Sequence, residues 1–157
     1  QNLEITLQDL ETGSRTFELE VYLEGANAQC TITGRATSTQ KDQKVWKIKQ
    51  IYQGQNQTGN IELKGTAEDN ALLQFDGSAL LEQSSAQANA HIDERIILFD
   101  DAKGKCLPVL RVETDDVASA GHGASIAPIE PEKILFLASR GIDANTAKQM
   151  LKDGFLY

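Results

Sequence analysis

The chain has 157 residues, 40% of them hydrophobic and 24% charged, with a net charge of −8. This is the make-up of one ordinary folded domain and not of a disordered tail. The acidic balance argues against a nucleic-acid partner held through a basic face, and no apolar run approaches the roughly 20 residues of a membrane span.

The first three quarters read as strands. "LEITLQDL" puts Leu3, Ile5 and Leu7 on one face, and "RTFELEVYLEG" puts Phe17, Leu19, Val21 and Leu23 on one face with Glu18, Glu20 and Glu24 opposite. "QCTITGRAT", "KVWKIKQIYQG", "NIELKG" and "ALLQFDGSALLEQ" continue this period-two alternation, the mark of strands with one buried and one wet face. Gly25, Gly34, Gly54, Gly59, Gly65 and Gly77 read as the punctuation between them. "ERIILFDD" and "KCLPVLRVE" are two further strand candidates. Many short strands suit a sandwich, a barrel or a solenoid. With no sharp fixed-length repeat in view, the pattern alone ranks an antiparallel β-sandwich first and a β-solenoid second.

The character changes after Ile129. Pro131 suits the first position of a helix, and "PEKILFLASRG" places Ile134, Leu137 and Ala138 on one face, widened by Leu135 and Phe136. Arg140 complements the helix C-terminus and Gly141 is a left-handed stop. Asp143 is placed to cap a second helix through Met150 and Leu151, with Gly154 expected to end it. Two helices this short must pack on the strands or on a partner.

Catalytic signals are absent: there is no Ser–His–Asp order, H-E-x-x-H motif or phosphate loop. His122 stands between Gly121 and Gly123, where the backbone is permissive and the ring is free to face solvent. His91 has a weaker claim. Cys30 alternates in phase with Ile32 and Cys106 lies in an apolar strand, so both read as core thiols. They lie far apart with no C-x-x-C spacing, so neither a disulfide nor a zinc site is expected, and a reducing cytoplasm is the simplest compartment.

The tail "ETDDVASAGHGASIAPIEPEKILFLASRGIDANTAKQMLKDGF" resembles the C-terminal signature of the SufB/SufD family of iron–sulfur cluster assembly. The matching features are the acidic-D-V segment Asp115, Asp116, Val117; the core His122, Gly123, Ala124, Ser125; the "LFLASRGI" helix from Ile134 to Ile142; Ala147; and the closing Gly154, Phe155. "YLEGANAQCTITGRATS" and the stretch from "GNIELKG" to "LRVE" resemble the family's core more loosely.

The resemblance implies a right-handed parallel β-helix over residues 1–128 and a small helical docking segment over 129–157. It implies a cytoplasmic, non-enzymatic scaffold that pairs through its β-helix with a SufB-like paralogue or a second copy. The helical foot is expected to dock on a SufC-like ABC-type ATPase, with Phe136, Leu137, Arg140 and Gly141 as the docking residues. A transient iron–sulfur cluster is expected at a subunit interface, with His122 as a metal ligand and none firmly bound by this chain alone.

The sequence also departs from the family pattern. Gly123 stands where SufB members carry glutamate, which is the SufD-like choice. No cysteine falls near His91 and Ile92, and Cys106 is displaced from that position. "VASAGH" is one residue longer than the common spacing. Gln1 is not a methionine and the family's long N-terminal region is missing, so either a small member or a fragment is expected.

Overall fold

The computed structural model describes residues 1–157. Ten strands come first: β1 (Asn2–Asp9), β2 (Arg15–Leu23), β3 (Gln29–Ser38), β4 (Gln43–Tyr52), β5 (Thr58–Ala67), β6 (Leu72–Leu81), β7 (Ala88–Leu98), β8 (Lys103–Cys106), β9 (Val109–Val112) and β10 (Val117–Pro128). Two helices follow, α1 (Pro131–Ala138) and α2 (Ala144–Leu156). Odd and even strands alternate between two sheets. One runs β1-β3-β5-β7-β10; the other runs β2-β4-β6 and ends in β8 and β9, both paired to β6. Every pairing is parallel. The result is a flattened β-solenoid of about four turns. This overturns the sandwich, whose sheets require antiparallel neighbours.

Register turns the alternating sequence into continuous interior rows. Ile5, Ile32, Ile61 and Ile92 stack in one sheet. Phe17, Trp46 and Phe75 stack in the other, with ring centroids 5.7 and 5.9 Å apart and tilted planes, the favoured aromatic geometry. Leu63, Leu73, Leu81 and Ile96 close the core. The repeat is not of fixed length. Leu3 pairs with Cys30, 27 positions on; Gln29 with Thr58, 29 on; Thr58 with Asn89, 31 on; and Ala90 with Ala120, 30 on.

Four of the six glycines read as turns lie inside strands instead: Gly34, Gly59, Gly65 and Gly77. A Cβ on Gly34 would come within 2.6 Å of Leu63 and of Trp46, so the indole needs glycine beneath it. The corners are turned by other residues. Asn27, Asn56 and Gln87 at one corner, and Gln40, Asp69 and Asp100 at another, all have positive φ. Asn and Asp accept this conformation because their short polar side chains bond locally. Along the second corner the amide of Gln40 donates to the Asp69 carboxylate at 2.9 Å, and the amide of Asp69 to that of Asp100 at 3.1 Å.

Candidate functional site

β10 is a full strand and not a permissive loop. It pairs with β7 throughout, with a register shift between Val117 and Ser119. That bulge absorbs the extra residue of "VASAGH". His122 therefore sits mid-strand, opposite Ile92, and extends the row of four isoleucines. Its side chain points to the interior face, yet it is exposed. The cause is topological: sheet two ends at β8 and β9, so β10 has no strand of its own coil to face and meets sheet two only through those two short strands, Ile126 lying beside Gly104 of β8. Ala120, His122 and Ala124 are left as an exposed stretch of the core face, while Ile126 is partly covered by β8. Gly121 and Gly123 lie on the opposite face, beside His91 and Asp93.

The other reactive groups near this end are quiet. Cys106 closes the row headed by Phe17, and burial, helped by Glu94 and Asp93, pushes its thiol up to about 12. It is protonated near neutral pH and so a poor nucleophile. Cys30 is buried two coils away, its thiol raised by burial against an opposing Gln50 hydrogen bond. Glu94 is fully buried. Its Oε1 accepts the Gly77 amide at 2.5 Å and its Oε2 has no partner. Burial pushes its carboxyl up to about 7. No group of three or more His, Cys, Asp or Glu side chains is arranged to hold a metal ion.

The helical hairpin forms a second surface. Pro131 opens α1 as expected. Gly141, with φ +84°, ends its turn: its amide donates to Ala138 O at 3.0 Å and that of Ile142 to Leu137 O at 3.2 Å, a Schellman closure. Asp143 caps α2 by accepting the amides of Asn145 and Thr146, both at 3.1 Å. The Thr146 hydroxyl bond is the largest influence holding its carboxyl below the usual range. α2 does not stop at Gly154 but runs to Leu156, because Leu156 is buried against the solenoid.

α1 buries no residue. Leu135 and Phe136 are exposed, and the Arg140 guanidinium lies 4.7 Å from the Phe136 ring centroid. Leu137 is half-buried. With Phe136, Glu132, Lys133 and Leu151 it lines a shallow groove of about 280 Å³.

The family model described as "SUF system FeS cluster assembly, SufBD core domain" matches residues 2–155. The chain belongs to the SufBD core family. The SufD iron–sulfur cluster assembly protein of Bacillus subtilis is 34% identical over 107 residues, which is 68% of this chain and 24% of that protein. SufD of Plasmodium berghei is 23% identical over 150 residues, 94% of this chain and 11% of that one. A SufBD family protein of Synechocystis is 29% identical over 93 residues, 59% of this chain and 20% of its own. The chain thus spans a quarter or less of the length of these relatives. No helix of this SufBD core domain is long and apolar enough to cross a membrane.

Proposed function

We propose that this SufBD domain is a non-enzymatic, cytoplasmic scaffold of a SUF-type assembly complex. It pairs through the open end of its solenoid and docks an ABC-type ATPase through α1. The observation that carries the docking half is the exposed Phe136–Arg140 pair, one on a helix with no fully buried residue and the other in the turn just after it. Small interfaces depend on a few aromatic and Arg anchors, and these two, the guanidinium stacked over the ring, have that character. Gly141 serves by fixing the direction in which the chain leaves Arg140. The uncovered face of β10 supports the pairing half, since a core face left open is an interface in waiting. The partner is a SufB-like paralogue or a second copy.

The iron–sulfur cluster is cargo in this reading. His122 supplies one imidazole at the open face, and the remaining ligands come from the paired subunit, because one imidazole cannot hold a cluster and no group of ligating side chains gathers around it in this chain.

The test is titration calorimetry of the cognate ABC-type ATPase against wild type and Arg140→Glu. Arg140 is a surface residue, so the change should alter stability by no more than about 1 kcal/mol. Loss of binding with an unchanged melting curve is expected. Binding equal to wild type would remove Arg140 as an anchor, and equal binding after deletion of residues 131–157 would remove the docking foot.

A further inference from the structure

We infer that α2 is fastened to the solenoid by an electrostatic latch and that the helical hairpin is a detachable element. This does not depend on what the hairpin binds. Of the 13 residues of α2, only Ala147 and Leu156 are buried. α1 packs on α2, and α2 is the helix that packs on the solenoid, against β5. The fully buried apolar contribution is therefore one alanine and one leucine, joined by half-buried Leu151 and Phe155.

Charge supplies the rest. Lys148 and Lys152 lie four apart, on one side of the helix. Both reach Glu68, just after β5: Lys152 Nζ lies 3.0 and 3.1 Å from its two oxygens and Lys148 Nζ 3.5 Å from one. Lys148 also meets Asp100 at 2.5 Å, the last carboxylate of the corner ladder that runs through Asp69. These groups are mostly shielded, at 21% exposure for Lys148, 14% for Lys152 and 17% for Glu68. Burial pulls the Lys148 ammonium down, and Asp100 and Glu68 more than restore it, while the Lys148 bond holds Asp100 below its usual range. At the far end Arg35 Nε donates to the Leu156 carbonyl at 2.5 Å, with its guanidinium 5.1 Å from the Tyr157 ring.

A seat of this kind differs from a packed core in one respect. Shielding reduces the screening of such pairs, but their solvent-facing side still feels the fall of the Debye length from about 10 Å at 0.1 M salt to about 3 Å at 1 M, whereas apolar burial is not weakened by it. The hairpin opens as a unit below the global unfolding threshold. It pivots on the short segment between Pro128 and Pro131, whose Ile129 amide is bonded to Leu98 O.

The test is hydrogen exchange with mass spectrometry on wild type and Glu68→Gln, at low salt and at 1 M sodium chloride, with β5 and β7 amides as internal reference. The latch predicts that wild-type α2 amides lose protection by about ten-fold or more in high salt, that Glu68→Gln shows this loss already at low salt, and that β5 and β7 do not change. Salt-independent α2 protection in wild type, wild-type protection in Glu68→Gln, or parallel loss in α2 and β5 would each overturn it.

Discussion

Glu94 is carried into the interior of the last closed coil by the same alternation that buries Ile92 and Ile96. Its pocket exists because position 77 is glycine: a Cβ there would come within 2.6 Å of Glu94 Oε1 and 2.9 Å of Ile92. Burial lifts the carboxyl from its ordinary 4.5 to about 7, against the bond from Gly77. The folded state thus holds this proton more tightly than the unfolded chain. The stabilisation is complete below about pH 4.5 and is lost as pH rises through 7. A shift of this size corresponds to about 3 kcal/mol at most. Denaturant melts at pH 5 and pH 8 should show wild type losing stability on this scale and Glu94→Gln losing much less. An equal pH response in both proteins would mean the carboxyl is not the titrating group. Residues of this type mark where a sequence is hard to read. The alternation around Glu94 assigns its face, but nothing local says that a glycine in the preceding strand makes room for it. Gly34 and Gly77 look like turn residues in sequence and act as space for Trp46 and Glu94 in the fold.

The helices were the most legible elements. Pro131, Gly141 and Asp143 carry their start and stop signals locally, and all three take the expected positions. Gly154 misleads because its local propensity is overridden by the packing of Leu156 and the Arg35 bond to its carbonyl. A Cβ on Gly154 would meet nothing within 4 Å. Gly154→Ala should therefore stabilise α2 by about 0.5–1 kcal/mol, since alanine loses less freedom on entering a helix. Greater protection of α2 amides would register it; lower protection would mean the helix is frayed there. β10 was the least legible element. "GHGAS" has the small residues of a loop, and only its register against β7 shows it as a strand. The tail motif located His122 without revealing that it extends the isoleucine row.

At the scale of the whole molecule, parallel stacking was hidden because period-two alternation is identical in parallel and antiparallel sheets. Steps of 27, 29, 31 and 30 residues also blur the repeat that would have exposed a solenoid. The same topology makes the feature on which the proposed pairing rests: one sheet has five strands in series, while its partner ends at β8 and β9, leaving much of the inner face of β10 open. A solenoid end needs a cap, and in the proposed function a second subunit provides it. Light scattering at high protein concentration, with and without the SufB-like paralogue, tests this most directly, using Ile126→Glu to place a charge on the open face of β10. The account predicts a dimer for wild type in at least one of the two conditions and a monomer for Ile126→Glu. A strict wild-type monomer in both conditions, or a dimer unaffected by Ile126→Glu, would contradict it.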